Sequence, residues 1–313
     1  GLGDVYKRQI LNRTHIYNSS ANSGTGNGGA VYMEGGTLNL NSGMIGGTVG
    51  NKNIASDGGA FYLTGGAVLN INGGQIDGNN ATNGGAVYVT DGATVNLYGG
   101  FIKDINYDGN SAAIGGGVYV DTGATFNMEG GEIRGNNSTE KGGAVFVAGE
   151  FNFIGGQISG NVTKASSDAA AVKGSGIYVE GGVVNMSGSA EILSQTGAVC
   201  VGANGTFNMN GGSIHDNVSS VNPDHGGAVY IVSGGTFNLT DGEIYGNSPK
   251  QGTKGGAFYT EGNLNISGGS IHGNNSYMGG AIAVGIGGMT VITGGEIYSN
   301  SGRDGACLLY TSP

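Results

Sequence analysis

A short phrase that keeps returning limits what this chain can fold into. GGA opens at Gly28, Gly58, Gly84, Gly142, Gly226, Gly255 and Gly279, with degenerate forms at Gly115, Gly174 and Thr196 and a cut-off DGA at Asp304. The spacing drifts from 22 residues (174 to 196) to 32 residues (142 to 174). Such drift marks a structural unit with one elastic loop, not a heptad or a collagen triplet. Each unit holds three short apolar clusters, as in AVYI, TFNL and EIYGN between Ala228 and Asn247. Apolar and polar residues alternate within them, which is the signature of strands. Glycine pairs and Asn/Asp clusters between them supply the corners.

Three short strands and three corners make one coil of a solenoid. The expected fold is therefore all-β: a right-handed parallel β-helix of about ten three-strand coils. Stacked at roughly 4.8 Å, ten coils give a rod about 48 Å long. One coil cannot bury its inner face, so stacking creates the core. The inward columns run from Val31, Phe61 and Val87 to Ile282 in the first strand, from Leu38 and Leu69 to Leu264 in the second, and from Ile45 and Ile76 to Ile297 in the third. Every member is aliphatic or aromatic, and a one-residue slip would turn each column to solvent.

Two polar or aromatic columns accompany the core. Asn79, Asn136, Asn161, Asn217, Asn247, Asn274 and Asn300 each follow the third-strand Ile by three places. They are read as a structural amide ladder at a corner, broken where Thr48, Ile105 and Gln195 stand at that offset. The second column lies between the inward residues of the first strand. It contains Tyr32, Tyr62, Tyr88, Tyr119, Phe146, Tyr178, Cys200, Tyr230, Tyr259 and Ala283. Six successive rings there are expected to pave an exposed strip. Its plain role is sheet stabilisation by ring stacking; its functional role is a glycan-contact strip with hydroxyls free for hydrogen bonds.

GGA followed by Val or Ile, then an apolar residue-x-x-Asn as in Ile76-Asp-Gly-Asn79, resembles the repeat of bacterial polymorphic outer membrane proteins. There the second motif is Phe-x-x-Asn; here Ile replaces Phe. The chain is also similar to adhesin-like β-helix proteins, over roughly residues 12 to 306. The resemblance implies a secreted or surface-displayed bacterial passenger or stalk that binds glycans or host-surface ligands. Its implied location is the cell surface or the extracellular space.

The two ends do not carry the repeat. DVYKRQ at Asp4–Gln9 and CLLYTS from Cys307 are encoded by one DNA string read on opposite strands. That string resembles a transposon mosaic end used in sequencing libraries. Residues 1–9 and 307–313 are accordingly read as translated adapter that does not continue the columns, and 10–306 as a fragment of a longer repeat domain. Setting Cys307 aside leaves Cys200 alone, which allows no internal disulfide.

Chemistry is sparse. β-helix pectin lyases and hydrolases are the rival class, but their NTD, DD, GHG and RIK strings are missing. Asp224-His225 in a variable loop lacks a third partner. Glu132, Glu191, Glu243 and Glu296 share one face, two coils apart in the first two pairs, and are read as solubilising charge. His215 and His272, with Tyr245 between, are read as exposed corner residues. No metal site, cofactor or catalytic residue is expected, and an inert spacer is the remaining alternative. A net charge of −10 with no basic cluster disfavours nucleic acid and anionic membranes. Variable segments such as 80–83, 137–141, 162–173, 218–225 and 248–254 gather at one corner, where binding loops or neutral drift are both at home.

Overall fold

The structure, a computed structural model, describes residues 8–47, 50–103, 109–164, 174–218, 226–248 and 254–310. It is an all-β parallel solenoid of about ten turns, with a single 3-10 turn at Ala21–Gly24 and no α-helix among the described residues. Among the described residues no helix is long and apolar enough to cross a membrane.

The first strands of successive coils form an 11-stranded parallel sheet, from Val31–Glu34 to Leu308–Tyr310. The second and third strands share one 18-stranded sheet. In four coils they run together as a single strand: Glu150–Ser159, Val183–Leu193, Thr206–His215 and Thr236–Tyr245. There the strand runs on through the glycine-containing link, so the corner expected at that point does not break it.

The register is the one the apolar columns require. Val87 lies between Phe61 and Val118, Phe126 between Val95 and Phe151, and Ile133 between Ile102 and Ile158. The core is one continuous cluster, with Phe126, Phe151, Phe207, Phe237 and Phe258 fully buried. A further inward column, Leu40, Ile71, Leu97, Met128, Phe153, Met186 and Met209, closes the second strand.

Two expectations change. The corner segment 137–141 is a strand, Asn137–Lys141, paired with Ser111–Ile114 and Val162–Thr163. The corner runs five residues from Asn110 to Gly115 and six from Asn136 to Gly142, so the two backbones can pair across one bulge between Ala112 and Ile114. The ends also continue the solenoid. Arg8–Leu11 pairs with Thr37–Leu40, and Leu308 stands opposite Ile282 and packs on the core. An unpaired sheet edge accepts any extended segment that reaches it, so this pairing is independent of where those residues come from. Residues 1–7 and 311–313 lie outside the described residues, as do most of the loops at 162–173, 218–225 and 248–254.

Candidate functional site

The buried amide ladder is longer than the constant offset suggests. Asn53 Nδ2 donates to Asn79 Oδ1 at 2.9 Å, Asn79 to Asn110 at 2.8 Å, Asn110 to Asn136 at 2.8 Å and Asn136 to Asn161 at 3.0 Å. Asn217, Asn247, Asn274 and Asn300 continue it. Asn53 and Asn110 supply the rungs expected to be missing. Each follows its Ile by eight residues (45 to 53, 102 to 110), so an insertion moved the rung along the chain without removing it. Thr48 and Ile105 lie outside the described residues. Each amide also caps main-chain carbonyls, as Asn136 Nδ2 does for Ile102 at 2.9 Å.

Gln195 does not interrupt the backbone side of the ladder. Its Oε1 accepts from Asn161 N, and its own N–H donates to Asn217 Oδ1, both at 3.0 Å. Its extra methylene costs the side-chain link, however, and Nε2 is buried with no partner among the described residues. A buried orphan donor costs about 1–3 kcal/mol. Gln195→Asn is therefore expected to stabilise the rod by about 1–2 kcal/mol, read as a higher urea midpoint; an unchanged or lower midpoint would contradict the assignment.

The tyrosine column forms the six-ring stack expected from its register. Ring centroids from Tyr32 through Tyr62, Tyr88, Tyr119 and Phe146 to Tyr178 are 5.2, 5.3, 4.7, 4.6 and 5.8 Å apart. Cys200 leaves a gap before Tyr230 and Tyr259, 5.6 Å apart. Paving is corrected: coplanar rings cannot approach so closely, so the rings stand face to face and their faces are spent on one another. Exposure is corrected too. Tyr32 is 53% exposed, but Phe146, Tyr178 and Tyr259 are each only 4% exposed. Alternation places these residues opposite the core without saying what lies over them. Ile114 from the corner strand, Ala148 and Val232 pack on this second cluster, and the Lys141 ammonium sits 4.8 Å from the Tyr178 ring.

The hydroxyls are engaged as well. Tyr88 donates to Asp121 Oδ2 and Tyr230 to Glu261 Oε2, both at 2.8 Å. Burial, then these hydrogen bonds, push both phenols far up. Burial, then Asp121, pushes Tyr119 up to about 12. Each is stabilised in the fold as the neutral phenol. That contribution is whole below the unfolded value of about 10 and is lost as pH rises through the folded value, about 12 for Tyr119. Alkaline titration followed by tyrosinate absorbance and circular dichroism is expected to show a delayed set of tyrosines ionising together with loss of β signal above about pH 10. A single titration near pH 10 with the fold intact would count against it.

His215 and His272 are not isolated corner residues. With Tyr245 and Tyr298 they form a second stack, with centroids 4.7, 5.2 and 4.9 Å apart and planes within 12° of parallel. His215 is buried, and its Nδ1 lies 2.9 Å from Asp216 Oδ2. In the adjacent column Glu132, Glu191, Glu243 and Glu296 alternate with Gln157, Ser213 and Ser270. Successive carboxylates are thus two strand spacings apart, about 9.6 Å, on an open sheet face. Among the described residues no group of three or more His, Cys, Asp or Glu could hold a metal ion. Asp224-His225 lies outside them.

A second amide ladder, not anticipated from the sequence, crosses the solvent side of the large sheet. Asn39, Asn70, Asn96, Asn127, Asn152, Asn185, Asn208, Asn238 and Asn265 stand in register, each Nδ2 after the first donating to the preceding Oδ1 at 2.8–3.0 Å. All nine are half-buried. The signal was in the sequence as the central Asn of TLNL, VLNI, TVNL and their copies. Beside it stands Tyr98, 47% exposed. Comparison with protein-family models, curated proteins and solved structures finds no match to this chain among any of the three.

Proposed function

We propose that the chain is a non-catalytic, adhesin-like rod displayed at a cell surface or outside the cell, holding a binding face toward glycans or other surface ligands. The observation that carries this is repetition along the rod: the solvent-side ladder presents the same group in nine coils. A linear array of equal groups suits many weak contacts with an extended partner. A reaction centre instead needs a few unlike groups converging in a concave site. The resemblance of the GGA and Ile-x-x-Asn motifs to surface passenger repeats supports the same reading.

The test is retention of the purified chain on bacterial and epithelial cells and on immobilised polysaccharides, with product release assayed in parallel. Retention without new reducing ends or unsaturated products is expected. Product release would move the chain to the carbohydrate-active enzymes, and failure to bind any surface would leave an inert spacer.

A further inference from the structure

Tyr98 and the solvent-side amides around it form a patch that neither ring stack includes. Asn70, Asn96 and Asn127 each give one N–H to the preceding rung at 2.8 Å. A carboxamide has two N–H donors and an oxygen that accepts twice. Each of the three therefore retains a donor and an acceptor beyond the ladder bonds, on the solvent side of the sheet. Thr94 and Thr125, two residues before Asn96 and Asn127, stand on the same face and are half-buried.

Tyr98 follows the strand Thr94–Leu97, and the register sets it between Asn72 of one neighbouring coil and Glu129 of the other. Asn72 is hydrogen-bonded to Asn41 at 2.8 Å. Tyr98 joins neither stack, so its faces are not spent on a column of rings as those of Tyr62 or Tyr88 are. An open ring face beside amides and hydroxyls matches the two sides of a sugar: C–H groups on the ring, hydroxyls on the amides. The amides recur at the strand spacing, and an extended pyranose chain advances by a similar length per sugar. Glu129 and Glu132 flank the patch, and the chain carries a net charge of −10, which opposes a polyanion.

We propose that Tyr98, with Asn70, Asn96 and Asn127, binds a segment of an extended, uncharged polysaccharide lying parallel to the rod axis. This rests on the display function proposed above and names its ligand class and its contact face. Because the ladder continues beyond the patch, longer glycan chains gain further registers, so affinity rises with chain length.

Affinity electrophoresis of the full chain in gels containing hydroxyethylcellulose, mixed-linkage glucan or galactomannan tests the site, with polygalacturonate as the polyanion. Retardation by at least one neutral polymer and none by polygalacturonate is expected. Tyr98→Ala should weaken that binding at least fivefold with an unchanged circular dichroism spectrum, and Tyr98→Phe should retain it. If Tyr98→Ala binds like the parent, the contact face lies elsewhere and only this site is overturned. Retardation by polygalacturonate alone overturns the ligand class. No retardation by any neutral polymer overturns the site, while retention on cells would still uphold the display function.

Discussion

Replacing Asn136 by alanine is expected to destabilise the rod by about 3 kcal/mol, because it strands several buried polar groups at about 1–3 kcal/mol each. Asn136 Oδ1 accepts from Asn110 Nδ2, and its Nδ2 donates to Ile102 O, Arg134 O and Asn161 Oδ1. Asn136 is fully buried, so water does not readily replace these bonds. Solenoids couple nearest neighbours, so the damage should concentrate in the coils holding Asn110 and Asn161. Native-state hydrogen exchange would show protection lost there first. Asn96→Ala on the solvent-side ladder is the control: its neighbours Asn70 and Asn127 can turn to water, and about 1 kcal/mol or less is expected. Equal losses for the two variants would mean that burial does not set the energy of these ladders.

Gly85→Ala should cost at least as much, by a different route. The backbone at Gly85 is not in the left-handed region, but a Cβ there would collide with the carbonyl oxygen of Gly116 and the amide of Ser111, both in the next coil. The collision is with main chain that is itself hydrogen-bonded, so relief requires coils to separate. A loss of about 3 kcal/mol or more is expected, beyond the usual range for overpacked side chains. Gly92 provides the contrast. Its φ is +70°, yet nothing lies within 4 Å of its added Cβ, so Gly92→Ala should cost only the dihedral strain of about 1–2 kcal/mol. Thermal melts of both variants decide the matter; a Gly92→Ala loss matching that of Gly85→Ala would reduce the second glycine of the GGA phrase to a propensity effect.

The inward columns were legible because period two leaves one register in which Phe126, Phe151 and Ile133 are all buried. The rungs Asn53 and Asn110 were not, because a fixed offset cannot follow an insertion that the corner absorbs. The strand Asn137–Lys141 was hidden by its polar composition; its order comes from the backbone of the coils on either side. For the tyrosines, alternation gave the stack and its spacing but not its cover, which comes from Ile114 and Lys141 of the corner strands, outside the strands that carry the rings. Tyr98 escapes the period-two pattern because it falls just outside the alternating strand, and the solvent-side asparagines because a polar residue between two inward ones reads only as the outward face.

The two amide ladders run in opposite senses. In the buried one, Asn79 and Asn136 direct the N–H that makes the ladder bond toward the next rung and the other toward an Ile carbonyl of the previous coil; in the solvent-side one, Asn96 and Asn127 direct their ladder N–H toward the previous rung. Each carboxamide is a dipole comparable to a peptide unit, about 3.5 D. A single aligned ladder would add these head to tail as a helix does, leaving partial charges of opposite sign at the two tips. Here two antiparallel rows of similar length largely cancel. The ladders therefore add little net dipole along the rod, and coils can be added without these rows building a growing end-to-end field.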